Sequence, residues 1–202
     1  AKATADAGTI GKVWRLHGIV GHGGPGSEGA RNKYFFAWLT DPVKNGAGAL
    51  MDFGCYNALW SLWYLGRPET VFARANHLRP ETFPKVEDNA DLVLSYPNGV
   101  GVFEASWDLP QSYQDLEIFG LKGGSLYMKN GSVEMKKGRD SQKLTIDPLP
   151  PDRAEPIACM VSCLRDRKPV EGLPAIDINV DVIKIIEAAK ESIRSGKAVA
   201  FQ

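Results

Sequence analysis

An acid and a phenol four residues apart form the pair in this sequence whose spacing could do chemistry. Asp52 and Tyr56 lie in a predicted helix that is almost wholly apolar, and Asp52 is its only acid. Residues four apart share one face of a helix, one turn from each other. A carboxyl group in apolar surroundings needs a partner or takes up a proton. A phenol beside it could exchange a proton with a bound substrate, so the pair predicts a proton-transfer site.

A structural interpretation of the same two residues stays open on the pattern alone. Asp is a favoured N-cap, and the Gly-Ala-Gly of residues 46–48 is typical of a loop. Asp52 could therefore cap the helix, and Tyr56 could be an ordinary core tyrosine. The helix itself is expected to run from about Leu50 to Leu65 and to be buried, because it is apolar on all sides.

The stretch that holds this pair resembles a family signature. Residues 41–56 read Asp-Pro-Val-Lys-Asn-Gly-Ala-Gly-Ala-Leu-Met-Asp-Phe-Gly-Cys-Tyr. They resemble the glucose–fructose oxidoreductase / inositol dehydrogenase family (Gfo/Idh/MocA), in which small residues precede Asp-x-Gly-x-His/Tyr. Ala47 departs from the commoner triple glycine. The resemblance continues through Trp38-x-x-Asp41-Pro42, through Glu104-Ala105-Ser106-Trp107 and through the closing segment 186–197. It implies that Asp52 is the active-site acid and that Tyr56 occupies its His/Tyr position.

The resemblance implies an NAD(P)-dependent oxidoreductase that acts on a sugar, a polyol or a related hydroxy compound. NAD or NADP would be bound mainly by an N-terminal Rossmann domain, which is missing here and would also supply a lysine beside Tyr56. This fragment alone is then expected to be inactive, and the open face of its sheet is expected to form a homo-oligomer. A non-catalytic oligomerisation or carbohydrate-binding domain is the alternative interpretation.

Five further residues are candidates for substrate binding: His22, Trp38, Lys44, Asn45 and Trp107. His22 lies in a glycine-rich loop that borders the substrate pocket in the resembling family. Lys44 and Asn45 precede the small-residue loop, where they could bind substrate hydroxyls. Lys44 could also bind a cofactor phosphate, and Gly48 is a second candidate for a cofactor contact. The alternative for each residue is a role without substrate contact, as a solvated loop side chain or a packed aromatic ring.

A second glycine-rich run does not predict a dinucleotide site. Residues 21–26, Gly-His-Gly-Gly-Pro-Gly, satisfy G-x-G-x-x-G after a predicted strand. That motif requires a helix to open at the glycines, with its N-terminus at the pyrophosphate. Pro25 interrupts the run, and residues 27–32 carry no helical periodicity, so we expect a loop.

The elements that must position these residues indicate an α+β fold, with a mostly antiparallel open sheet and helices packed on one of its faces. Alternating polarity predicts strands near 10–20, 70–78, 90–96, 100–107, 115–121, 125–128, 132–136 and 144–146. Tight turns are expected at Asn98-Gly99 and Asn130-Gly131, which together make the series a meander. Helices are predicted at 156–165 and 177–195. Residues 9–202 are expected to form one domain, preceded by a helix tail at 1–8.

Composition argues against several classes of protein. The 24 basic and 24 acidic residues balance, which argues against a nucleic-acid partner or an anionic membrane surface. No apolar run approaches the length of a membrane span, and no targeting signal is visible, so we expect a cytoplasmic protein. The three cysteines, Cys55, Cys159 and Cys163, show no metal-binding spacing, and neither a metal site nor a disulfide framework is predicted.

Overall fold

The structure is a computed structural model that describes residues 1–26 and 32–202. Within these residues, nine strands form one sheet and six helices accompany it. The strands are β1 (Val13–Gly21), β2 (Thr70–Asn76), β3 (Asn89–Tyr96), β4 (Gly99–Ser106), β5 (Tyr113–Gly120), β6 (Gly124–Lys129), β7 (Ser132–Lys137), β8 (Asp140–Leu144) and β9 (Val199–Ala200). The helices are α1 (Lys2–Asp6), α2 (Lys33–Leu39), α3 (Ala49–Asp52), α4 (Gly54–Leu65), α5 (Pro156–Asp166) and α6 (Ile176–Ser195).

The strands lie in the order β8-β7-β6-β5-β1-β4-β3-β2-β9. All neighbouring pairs are antiparallel except β1 and β4, which run parallel, so the predicted mostly antiparallel α+β fold is confirmed. The simple meander is wrong at one point, because β1 inserts between β4 and β5. Local turn signals cannot report such a pairing, since its two strands are far apart in sequence.

One face of the sheet carries the core. Alternate residues of the strands are fully buried there: Leu16, Leu92, Leu94, Phe103, Leu116 and Ile118. Helices α4 and α6 pack over them, and α6 contributes the fully buried Ile185 and Ile186. Burying a side chain of this size contributes about 1.5–3 kcal/mol. This alternation is typical of a sheet with one face on the core.

The opposite face of the sheet is open. One row of cross-strand neighbours on it runs Val93, Val102, His17, Glu117 and Tyr127. These side chains are half-buried or exposed, whereas their chain neighbours on the other face are buried, except for the half-buried Met128 beside Tyr127. The predicted arrangement of helices on one face of the sheet is therefore observed.

The helix predicted from Leu50 to Leu65 is broken at Phe53, whose φ is −118° and ψ −31°. Helix α3 ends at Asp52, and α4 begins after the break. Asp52 makes no capping hydrogen bond to α4, so the N-cap interpretation is wrong. At the start of α4, a Cβ on Gly54 would lie 3.1 Å from Leu50 Cδ1, so a larger residue would require that side chain to shift.

Two predicted turns differ in outcome. Asn130 and Gly131 both have positive φ, 48° and 69°, and join β6 to β7 as predicted. The other turn is Pro97-Asn98, because Gly99 belongs to β4 and pairs with Tyr96. A Cβ at Gly99 would lie 2.5 Å from the Trp14 carbonyl oxygen, so this glycine serves a close backbone approach rather than the turn.

The N-terminal helix and the segment before α3 agree only in part with the predictions made from the sequence. Helix α1 lies where a helix tail was predicted, while a further domain before it stays a prediction. Helix α2 was not predicted, and it leaves Tyr34 and Trp38 exposed. The non-helical prediction for residues 27–31 lies outside the described residues. No helix among residues 1–26 and 32–202 has the length and hydropathy to cross a membrane.

Candidate functional site

The carboxyl group of Asp52 is held by the indole of Trp107. Trp107 Nε1 donates to Asp52 Oδ2 at 2.9 Å, and the Trp107 side chain is fully buried just after β4. Burial raises the pKa of Asp52, while the hydrogen bond from Trp107 and the proximity of His22 act in the opposite direction. The structure thus brings two predicted site residues together, and the indole favours the ionised carboxylate.

Tyr56 lies in the first turn of α4 and is 46% exposed. Burial raises the pKa of its phenol, and the neighbouring Cys55 and Asp52 raise it further. The phenol is therefore protonated at neutral pH and can donate a proton, whereas accepting one would require a nearby cation. Among the described residues, no side chain hydrogen bonds its hydroxyl, which leaves that group available to a ligand.

Cys55, between these two residues, is an unreactive thiol. Its Sγ donates to the Asp52 carbonyl oxygen at 3.5 Å. Burial, followed by the charge of Asp52, raises the pKa of Cys55 to about 11. Since the thiolate is the nucleophilic form, Cys55 acts here as a small packing residue.

His22 borders the same site from the loop after β1. Its Nδ1 accepts a hydrogen bond from the Gly24 amide at 2.9 Å, so a neutral ring carries its proton on Nε2. The ring meets Phe53 edge-on, with centroids 4.9 Å apart and planes at 81°. His22 is therefore near Asp52, and its contact with a substrate stays a prediction.

Three other predicted residues lie apart from this pair. Asn45 Nδ2 donates to the carbonyls of Leu39 at 3.2 Å and Ala47 at 2.8 Å, which fixes the loop before α3. Lys44 leaves 63% of its side chain exposed and lies 4.0 Å from Asp41. Trp38 is 44% exposed on α2. Within residues 1–26 and 32–202, no hydrogen bond or ion pair joins these three to Asp52 or Tyr56, and their role in substrate binding stays a prediction.

Glu87 fixes the start of α3, and sequence reasoning missed it. Its Oε1 accepts the amides of Gly48 at 2.8 Å and Leu50 at 3.0 Å, and its carbonyl oxygen accepts the Ala49 amide at 3.0 Å. Burial raises the pKa of this carboxyl group. No sequence signal marks Glu87, because it lies 37 residues or more from the amides that it caps.

The described residues do not fit a dinucleotide. The Gly48 amide is already bound to Glu87, and a Cβ at Gly48 would lie 1.9 Å from the Glu87 carbonyl oxygen. The close approach of the Glu87 backbone therefore explains why residue 48 is a glycine. In the loop after β1 the Gly24 amide is bound to His22, and α2 begins only at Lys33. These amides offer no cradle for a pyrophosphate.

The candidate site is partly exposed to solvent, since Asp52 is half-buried and Tyr56 is 46% exposed. Asp52 and Tyr56 line neither the cavity of about 910 Å³ beside α2 nor the cavity of about 610 Å³ beside α1. A carboxylate held through one oxygen can accept a hydrogen bond from a substrate hydroxyl, and a free phenol nearby can donate a proton to a carbonyl or alkoxide oxygen.

Comparison with known proteins places the chain in a family. Residues 1–125 match the GFO/IDH/MocA C-terminal domain. A search of curated proteins found no match.

Solved structures share the fold at low identity. An aldose-aldose oxidoreductase from Caulobacter crescentus, complexed with glycerol, is 19% identical with a TM-score of 0.80, over 98% of this chain and 58% of its own. A levoglucosan dehydrogenase, complexed with NADH and levoglucosan, is 18% identical with a TM-score of 0.79, over 99% and 61%. An oxidoreductase from Agrobacterium radiobacter, in complex with NAD⁺, L-tartaric acid and magnesium, is 17% identical with a TM-score of 0.75, over 99% and 60%.

This chain therefore spans less than two thirds of the length of these structures. Their identities of 17–19% establish likeness of fold alone. The match to the family covers more than half of the chain. With its mostly antiparallel open sheet, the chain belongs to the Gfo/Idh/MocA oxidoreductase family as a C-terminal domain.

Proposed function

We propose that this chain is the substrate-binding and catalytic domain of an NAD(P)-dependent oxidoreductase that acts on a sugar, a polyol or a related hydroxy compound. The observation that carries the proposal is the Asp52 carboxylate held by Trp107 beside the available phenol of Tyr56. The ligands named for the similar structures, glycerol, levoglucosan and L-tartaric acid, are all hydroxy compounds or their derivatives, which supports the substrate class.

In this proposal, the residues of this chain transfer the proton of the reaction, whereas the hydride belongs to the cofactor. Nicotinamide, bound outside the described residues, would supply or take up the hydride. The phenol of Tyr56 donates its proton to the substrate oxygen in reduction, or takes it up in oxidation. Asp52 accepts a hydrogen bond from a substrate hydroxyl through Oδ1, since Oδ2 is occupied by Trp107.

The charge of each group affects the titration of the other. The charge of Asp52 opposes ionisation of Tyr56, because it raises the pKa of the phenol. Tyr56 therefore works as a base only when a cation approaches it from outside the described residues, as the family lysine would.

Replacing Tyr56 tests the proposal in the full-length protein that contains this chain. Tyr56→Phe is expected to lower kcat by about 10²–10⁴-fold, because the proton donor is lost while the ring is kept. Cofactor affinity, measured by nucleotide fluorescence, should stay unchanged. Turnover is measured with NAD and NADP on a panel of sugars and polyols.

Tyr34→Phe is the matched control, because Tyr34 is 77% exposed on α2 and should leave kcat unchanged. Wild-type turnover in Tyr56→Phe would remove Tyr56 from the chemistry.

We also propose that the open sheet face pairs with a second copy of the protein. Its half-buried Val93 and Val102 are central in the sheet, and no helix among the described residues covers them. Apolar side chains in such a position are typical of an interface core.

A further inference from the structure

Arg79, in the segment between β2 and β3, joins several parts of the candidate site. Its Nη2 donates to the Trp107 carbonyl oxygen at 2.5 Å and reaches the Gly23 carbonyl oxygen at 3.5 Å. Its Nε lies 2.5 Å from Asp108 Oδ1. Its guanidinium also lies 5.0 Å from the centre of the Phe83 ring, and Phe83 packs against Trp107 at 4.9 Å. One side chain thus contacts both segments that flank Asp52.

The backbone at Arg79 is fixed by Asp88, which is fully buried. Asp88 Oδ2 accepts the Arg79 amide at 2.6 Å, and Oδ1 accepts the Leu78 amide at 2.8 Å. The Asp88 carbonyl oxygen accepts the Trp107 amide at 2.7 Å. Asp88 therefore holds Arg79 and Trp107 at the same time.

The positive charge of Arg79 compensates the negative charge of Asp108. Burial raises the pKa of Asp108, the neighbouring Asp88 raises it further, and Arg79 lowers it. Among the described residues, no other cation contributes to the pKa of Asp108. Without Arg79, two carboxyl groups would lie together beside Trp107 with no compensating charge.

We infer that Arg79 is a positioning residue, which holds Trp107 and the His22 loop so that the indole meets Asp52 and the imidazole borders it. Trp107 touches Asp52 through its side chain and Arg79 through its backbone, so a shift of the backbone moves the indole. The planar fork of the guanidinium serves Asp108, Trp107 and Gly23 together, and a lysine ammonium could not match this geometry. The catalytic consequence rests on the proposed function, whereas the positioning does not.

The indole N–H resonance of Trp107 tests the inference directly. In the full-length protein this resonance is identified by its loss in Trp107→Phe, and it should titrate with Asp52, because the N–H donates to that carboxylate. Asp52→Asn should abolish the titration. Arg79→Lys and Arg79→Ala are expected to move the midpoint to higher pH, since a displaced indole no longer favours the ionised carboxylate. They should also lower kcat/KM by about 10- to 100-fold, mostly through kcat.

Arg194→Ala is the matched control, because Arg194 forms an exposed pair with Glu191 on α6 and should change neither reading. If Arg79→Ala does not fold, Arg79→Lys decides. A wild-type midpoint and wild-type kcat/KM in folded Arg79→Lys would overturn the inference. The two proposals fail separately: an active Tyr56→Phe together with a shifted midpoint in Arg79→Lys would remove the proton-transfer role and leave the positioning role intact.

Discussion

The carboxyl group of Asp52 gives the fold a pH dependence whose sign follows from its surroundings. Burial raises its pKa above the ordinary 3.8. Between that value and the raised one, the folded state holds a proton that the unfolded chain has released. The free energy of unfolding therefore falls as the pH rises through this window, and the full contribution is present only below the ordinary pKa.

Replacing Asp52 by asparagine should remove this slope. The amide oxygen of Asp52→Asn can still accept the Trp107 indole, so packing is kept while the charge is lost. The free energy of unfolding of Asp52→Asn minus that of wild type is the quantity to follow. This difference should increase by about 0.5 kcal/mol between about pH 4 and about pH 7, after allowance for solvent screening at a partly exposed site. Urea unfolding across this pH range measures it. Asp140→Asn, on an exposed residue of β8, is the control, and a difference that does not change with pH for Asp52→Asn would contradict the argument.

At the scale of elements, α3 depends on an acceptor from outside its own sequence. Glu87→Ala removes the oxygen that binds the amides of Gly48 and Leu50 at the start of α3 and should lower the free energy of unfolding by about 1–3 kcal/mol. Glu87→Gln should cost less, because an oxygen remains and a buried charge is removed. Denaturant unfolding measures both variants. Glu155→Ala is the matched control, since Glu155 is the N-cap of α5 but makes no side-chain capping bond. An equal loss in Glu87→Ala and Glu155→Ala would show that Glu87 does not hold α3.

The elements that sequence reasoning predicted well are those whose signals are local. Alternation in β3 identified Leu92 and Leu94 as buried, and Asn130-Gly131 supplied the two positive φ values of a tight turn. Helix α6 was found within one residue because its apolar side chains recur every three or four positions. The break at Phe53 was missed, because an uninterrupted apolar run carries no sign of where a helix changes direction.

The candidate site was predicted in the same uneven way. Asp52, Tyr56 and Trp107 could be found through the resemblance, but the bond between Asp52 and Trp107 spans 55 positions and depends on the sheet. Arg79, Glu87 and Asp88 looked like ordinary polar residues of a loop. The Arg79 guanidinium reaches the Trp107 carbonyl 28 positions away, and the Glu87 carboxylate reaches amides 37 or more positions away, so only the folded chain reveals these bonds.

At the scale of the whole molecule, the sheet separates two surfaces with different chemistry. One face holds the helices and the core, with the candidate site at their margin. The other is a broad polar surface with apolar residues at its centre, where Asp91 faces Glu104 across the β3–β4 pair. Burial raises the pKa of Asp91, and the charge of Glu104 raises it further. Like charges opposite each other weaken a sheet. Within the chain, His17 Nε2 lies 3.6 Å from Glu104 Oε1, and Arg74 is paired with Asp91 on the neighbouring strand β2.

Disrupting the centre of this face tests whether two copies meet there. Val102→Glu places a charge between Val93 and His17 without touching the core, so the subunit should fold and the assembly should dissociate. A stable interface buries about 800 Å² on each partner, so a pairing through this face would extend over several of its strands. Light scattering on the full-length protein should show the mass falling from a multiple of the subunit to one subunit, with little change in the melting of the subunit itself. Val43→Glu, at a side chain that is 91% exposed in a loop, makes the same chemical change elsewhere and should leave the mass unaltered. A wild-type mass in Val102→Glu would mean that any assembly uses another surface, because burying an added carboxylate at the core of an interface carries a large desolvation cost.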